Sequence, residues 1–451
     1  MTVSRVMREL SAYMARAPRR RLPRPVVDKT KLHIADTLAA IISGSRLLPG
    51  KIAIAYARSL GGTRESSIAG TRIVTSALHA AFANAMMAHA DETDDSHQRA
   101  FYHPGCAVVP AALAMAEREH ASGNELLRAV ALGYDIGCRF NLALGAMQFH
   151  LSGHSTHSFG ALFGAAAAAG VLARLDAERI RWQLSYTAQQ ASGISCWMRD
   201  PDHIEKAFDL GGMAARNAVA AATMVAHGFT GVDDVLSGER NFLFAFNSES
   251  RVEELIRELG KTYEILQTNI KKWSVGSPIQ AALDSMQTLI RQHGLKAVDV
   301  ERVKVQVQDH EAAIVNDRDM PDICLQHLAA VMLLDGTVTF ASSHDQARMQ
   351  DGRVLELRRR IEFVGSVELT RAGGRQAIVE VWTRDGRHLT HRTCVVKGAL
   401  GNPMSHLEID EKCIDLLAPI LGKRRGRTLL NAVWNLEKMP DMRALRPLLQ
   451  A

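Results

Sequence analysis

Aromatic side chains are scarce: phenylalanine, tyrosine and tryptophan make up 5% of the 451 residues, while hydrophobic residues as a whole make up 47%. A β-sandwich built on large rings is disfavoured. Abundant alanine and glycine favour helices packed closely through small contact residues. Cysteine is sparse and scattered. Cys106, Cys138, Cys196, Cys324, Cys394 and Cys413 form no C-x-x-C pair, which argues against a thiolate zinc centre and for a reduced, cytoplasmic chain. Long apolar runs are missing: the most apolar stretch, Gly160 to Ala173, is too short and alanine-rich to span a bilayer, so no membrane partner is expected. Arg19-Arg20-Arg21 lies in the first 25 residues without an apolar segment beside it, and no secretory leader is expected. The formal charge of +6 is diffuse. With no basic stripe interleaved with aromatics, nucleic acid is not an expected partner, whereas a small anionic substrate is.

What is present reads first as helix after helix. Val26 to Ser43 places Leu32, Ala35, Leu38, Ala39 and Ile42 on one face, and Ala77 to Ala88, Ala107 to Glu117, Gly123 to Gly137, Gly160 to Leu175 and Gly211 to Gly228 follow the same theme. The character changes after Lys271. Arg302 to Val307 alternates polar and apolar residues, and Gln376 to Trp382 and His388 to Val396 flank the turn pair Asp385-Gly386. Between them Gln326 to Leu334 reads as a buried helix, and Ser405 to Leu449 returns to helical spacing. The expected fold class is mainly α: a large all-helical domain over 1–270, completed by 402–451, and a smaller α+β lid domain over 271–401. A chain of this length is too long for one simple core.

Three segments carry chemistry. His89-Ala-Asp-Glu-Thr-Asp-Asp-Ser-His97, closing on His103-Pro-Gly105, packs four carboxylates and three imidazoles into one polar run. Such a run is costly to bury unless its members pair with one another, a metal or a substrate. Metal binding, acid–base catalysis and a solvated loop are its three readings, and neither H-E-x-x-H nor an EF-hand pattern supports the first. The second segment, Phe149 to Gly160, sets His150, His154 and His157 among hydroxyls ahead of an alanine-rich helix. The free N–H groups of that helix start suit a carboxylate, while Ser155 or Ser158 as a simple cap is the plainer reading. The third is Glu205-Lys206 ahead of Gly211-Gly212. A lysine there is either an ordinary surface residue or, beside a site, a carboxylate ligand or base.

The order and spacing of these pieces resemble the MmgE/PrpD family, which contains 2-methylcitrate dehydratases, cis-aconitate decarboxylases and iminodisuccinate epimerases. The matching pieces include Ala83 to His89, Asp94-Asp-Ser-His97 with His103-Pro-Gly, Gly133-Tyr-Asp-Ile-Gly-Cys-Arg139, His154-Ser-Thr, Lys206 before Gly211-Gly, Gly228-Phe-Thr-Gly, Leu333-Leu-Asp-Gly336 and Asn402-Pro-Met404. Carried over position by position, the resemblance implies a site of Glu92, Ser96, His103, His154 and Lys206. His103, Lys206, Glu92 and His154 are the catalytic candidates, and Ser96, His327 and Arg139 the substrate-binding ones. For Arg139 a structural salt bridge is the alternative role.

The resemblance implies proton abstraction beside a carboxylate without metal or cofactor, by a cytoplasmic homodimer. Two departures bear on the substrate. Gly276 stands where the family's decarboxylases carry histidine, and Cys324-Leu-Gln-His327 stands where much of the family has tyrosine. The expected activity is that of a hydro-lyase on a small hydroxy-polycarboxylate, with an epimerase, isomerase or decarboxylase as the close alternative. A metal-dependent hydrolase and a non-catalytic binding protein are the more distant ones.

Overall fold

The computed structural model describes residues 2–247 and 249–451, and the chain is mainly helical. It divides into two compact units. The first comprises 1–90, 94–269 and 416–451, and the second 91–93 and 270–415. The three-residue segment 91–93 belongs to the second unit although it lies within the acidic run. The second unit also runs past the expected boundary at 401, into the helix His406–Leu421.

In the first unit the helices that position the site are α1 (Arg24–Gly44), α2 (Ala77–Ala88), α3 (Gly105–Arg118), α4 (Gly123–Ala143), α5 (Thr156–Leu172) and α6 (Met213–Ala226). Every residue of α5 is buried, as its apolar residues on all sides require. It packs against α3, α4 and α6. Small residues allow this: a Cβ on Gly133 would lie 2.8 Å from the Gly164 carbonyl oxygen, and one on Gly164 would lie 2.6 Å from the Gly133 carbonyl oxygen. α4 and α5 thus touch backbone to backbone. The Gly211 to Gly228 reading needs adjusting at its start. Phe208–Gly212 forms a π-helical turn before α6 begins at Met213, with Gly211 lying against the Ala85 carbonyl. The C-terminal tail packs on this unit through Arg446 on Glu117 at 2.6 Å and the Gly70 N–H on the Leu449 carbonyl at 2.7 Å.

In the second unit a four-stranded sheet has the order β2-β1-β3-β4, with β1 Val300–Gln308, β2 Ile361–Ser366, β3 Ala377–Thr383 and β4 His388–Thr393. β1 pairs parallel with β2 and antiparallel with β3, and β3–β4 is the expected hairpin across Asp385-Gly386. Gly386 supplies the positive φ of that turn, 85°. Alternation places Val303, Val305 and Val307 in a core shared with α7 (Gln280–His293) and α8 (Leu325–Asp335). No single helix among the described residues is long and apolar enough to cross a membrane.

Gly133→Ala should lower unfolding free energy by about 1–3 kcal/mol, the usual cost of overpacking a tight contact. Urea denaturation checks this, and a variant as stable as the parent would show that α4 and α5 can separate freely.

Candidate active site

The acidic run is buried: His89, Asp94, Asp95, Ser96 and His97 are all nearly inaccessible. Each charge therefore needs a partner. Asp95 is the hub. Its carboxylate receives the Tyr134 hydroxyl at 2.5 Å and the Gly105 N–H at 2.9 Å, and lies 2.6 Å from His33 Nδ1. Burial alone would raise its pKa, but the His33 pair and the Tyr134 hydrogen bond hold it below the ordinary carboxylate range. The Asp95 main-chain carbonyl lies 2.5 Å from His103 Nδ1. A carbonyl only accepts, so Nδ1 carries a hydrogen, and in the neutral ring Nε2 holds the lone pair. About 11% of the His103 side chain is accessible.

Asp94 faces two imidazoles, His89 Nδ1 at 2.9 Å and His103 Nδ1 at 3.3 Å. These three residues offer ligand atoms within 4.8 Å of one another, a spacing compatible with a divalent cation. Both Nδ1 atoms face carboxylate or carbonyl oxygens, while His89 Nε2 is buried without a hydrogen-bond partner. His97 does something else: its Nδ1 accepts the Ala100 N–H at 3.0 Å and its Nε2 donates to Glu264 at 3.1 Å. It is a structural staple rather than a proton carrier. Ser96 joins the same staple by exchanging main-chain hydrogen bonds with Asn269.

Four imidazoles form a row. The His203 and His89 rings are 5.1 Å apart, His89 and His103 5.2 Å, and His103 and His157 5.2 Å. His157 then meets the edge of Trp197 at 5.4 Å, and Lys206 Nζ lies 5.5 Å over the same indole. Burial, together with the neighbouring imidazoles and Lys206, pushes His157 well below its ordinary pKa, so it is a neutral imidazole.

His103 stacks on His157, and Trp197 stands between His157 and Lys206; His154 is not in this row. The two histidines stand on opposite sides of the helix start. Ser155 caps α5, so His157 lies in the first helical turn, while His154 precedes the cap in extended backbone. Its ring stacks on Phe149 at 4.3 Å and packs edge-on against Phe159 and Phe246.

Two residues not singled out in the sequence hold this end of the row. Asp209, in the π-helical turn, accepts from Ser155 Oγ, and Ser155 Oγ in turn accepts from Trp197 Nε1 at 3.3 Å. Burial raises Asp209 to about 7. Gly193 is required beside it: its φ is 130°, and a Cβ would fall 2.7 Å from Asp209 Oδ1. Ser155, Gly193, Trp197 and Asp209 come from separate stretches of chain, and no local spacing marks them as a group.

Arg139 is not a substrate clamp. It is fully buried, with Nε 3.1 Å from Asp135 and its other donors on the carbonyls of Glu254 and Arg257 and on Thr262 Oγ1. It ties α4 to the segment 254–262, the structural alternative weighed for it.

In the second unit Glu92 is the middle residue of a three-residue segment gripped by cations. Lys271 Nζ donates to the Glu92 carbonyl at 2.8 Å and lies 3.6 Å from its carboxylate. Lys412 Nζ donates to the Thr93 carbonyl at 3.0 Å, and His344 Nε2 lies 3.0 Å from the Asp91 carboxylate. Lys271, buried like Glu92, marked only the change of character in the sequence and was not among the candidate site residues. His327 is fully buried on α8 with both ring nitrogens lacking hydrogen-bond partners. Burial, with Arg358 and Arg348 nearby, lowers its pKa to about 4. It is therefore a neutral imidazole near pH 7.

Comparison with known proteins decides the family. Residues 8–255 match the MmgE/PrpD N-terminal domain and residues 273–438 the MmgE/PrpD C-terminal domain. The chain belongs to the MmgE/PrpD family. Among curated MmgE/PrpD relatives, cis-aconitate decarboxylase of Homo sapiens is 25% identical over 445 residues, covering 94% of this chain and 90% of that protein. The Mus musculus cis-aconitate decarboxylase is 23% identical over 395 residues, covering 82% and 78%. This MmgE/PrpD chain keeps Gly276 with ordinary backbone geometry. A Cβ there would meet only Ile323, Pro278 and Val315 at 3.5–3.8 Å, so the fold does not impose the glycine.

His344 generates a test. Burial pulls its pKa down, but Asp91 outweighs burial and raises it to about 9 from 6.5. A raised folded-state value means this contribution is complete below about 6.5 and is lost as pH climbs through 9. Thermal melts between those limits should show the melting temperature falling in the parent, with a shallower fall in His344→Gln. Identical slopes would remove the His344–Asp91 pair from the account.

Proposed function

We propose that the protein is a metal-independent hydro-lyase that removes a proton beside a carboxylate of a small hydroxy-polycarboxylate. The observation that carries this reading is the fixing of His103, with Nδ1 on a main-chain carbonyl and Nε2 basic, next to a neutral His157 and the ammonium of Lys206. His103 Nε2 takes the proton from the carbon. The electron pair forms the carbon–carbon double bond as the hydroxyl leaves as water, taking the proton back from the imidazolium that His103 has become. The enolate-like charge that develops on the neighbouring carboxylate needs fixed donors, and Lys206 and His157 supply them. Ser96 is assigned to a substrate hydroxyl group.

Decarboxylation is the second reading, favoured by the names of the curated relatives. Gly276, in place of the family decarboxylases' histidine, weighs against it. Proton-exchange NMR in D2O against hydroxy- and unsaturated di- and tricarboxylates separates the outcomes. An alkene product supports the hydro-lyase, release of CO2 the decarboxylase, and exchange without net turnover an epimerase.

His103→Gln should lower kcat about 10²–10⁴-fold, the usual share of general acid–base catalysis. Lys206→Arg keeps the charge and should chiefly raise KM. A Lys206→Arg enzyme with normal KM and collapsed turnover would make the lysine the proton carrier, because arginine does not exchange protons near neutrality. A cytoplasmic homodimer is the assembly proposed from the family resemblance. Light scattering at micromolar concentration should give twice the chain mass, and a monomer there would refute it.

A further inference from the structure

The run Arg19-Arg20-Arg21 has no part in the chemistry above. The structure splits it. Arg20 turns inward, donating to the Gly260 carbonyl and lying over the rings of Tyr13 and Tyr263 at 5.6 and 5.9 Å. That anchor fixes the backbone of the turn and leaves Arg19 and Arg21 exposed. Both line a cleft of about 730 Å³, together with Arg24 at the start of α1 and Arg128 on α4. Leu22, Val27 and Leu127 give the cleft an apolar side.

The acids nearby are already engaged. Glu437 lines the cleft, but its carboxylate lies 2.5 Å from Lys31 Nζ. Asp28 takes Arg24 Nε at 2.9 Å. Arg128 donates to the Pro18 carbonyl at 2.7 Å and feels the Glu125 carboxylate without a direct ion pair to it. Among the described residues no carboxylate makes a direct ion pair with Arg19, Arg21 or Arg128. Three guanidinium groups without a direct carboxylate partner thus line one cleft of ligand size. Guanidinium forks match phosphate oxygens two at a time, and the apolar side suits a flat ring.

We propose that this cleft binds a compact phosphate-bearing anion with one apolar face, the class to which nucleoside diphosphates belong. It shares no residue with the imidazole row. Its ligand is therefore a second molecule alongside the substrate, and the proposal stands or falls independently of the reaction assigned above.

Isothermal titration of the full chain at about 0.15 M salt, where loose surface attraction is screened, tests it with ADP, inorganic pyrophosphate and citrate. The expected result is saturable binding of one ADP per chain, with pyrophosphate weaker and citrate weaker still. Arg19→Gln/Arg21→Gln should weaken ADP at least about tenfold, the scale of losing a charge-assisted hydrogen bond. Both side chains are exposed, so the fold should hold, and an unchanged thermal melt verifies that. Arg384→Gln, an exposed arginine outside the cleft, should leave ADP binding unchanged. Absence of ADP binding, citrate binding as tight as ADP, or an equal loss in Arg384→Gln would each overturn the proposal.

Discussion

The arrangement of the site depends on one buried carboxylate. Asp95 collects the Tyr134 hydroxyl, the Gly105 N–H and His33 on its two oxygens, and its own carbonyl fixes the His103 tautomer. An ionised group so deep in the protein is tolerable only because its acceptors are occupied, and removing one partner would leave the remainder uncompensated. The same network extends outward: α3 starts at the Gly105 that Asp95 holds, and the His103 ring is aimed by the Asp95 main chain.

Close helix packing makes that burial possible. Glycines at the α4–α5 contact bring backbones together, and the alanine-rich α5 fits inside a ring of other helices. The same contact holds rings where there is room, with Phe140 of α4 stacked on Phe163 of α5 at 3.7 Å. Trp197 separates His157 from Lys206, and Phe149, Phe159 and Phe246 enclose His154.

Charge is handled differently in the second unit. There Asp91–Thr93 is a short guest segment, and Lys271, His344 and Lys412 hold its carboxylates and carbonyls from separate elements. Binding the main chain as well as the acids leaves Glu92 little freedom to move.

Periodicity alone marked the helices, the valine strand and the hairpin at Asp385-Gly386, because a buried face repeats at the pitch of its own element. Motif order alone marked the family, and with it His103 and Lys206. Local pattern could not choose between His154 and His157. The choice turned on where the cap of α5 falls, and hence on which side of the chain each ring emerges. Nor could it separate Arg139 the clamp from Arg139 the tie, since the deciding carbonyls lie more than a hundred residues away in sequence. Asp209, Ser155, Trp197 and Gly193 meet only in the folded chain. Chemistry-bearing residue types are a local property and were legible in the sequence. Which of them share a hydrogen bond is set by long-range packing, and only the tertiary structure decided it.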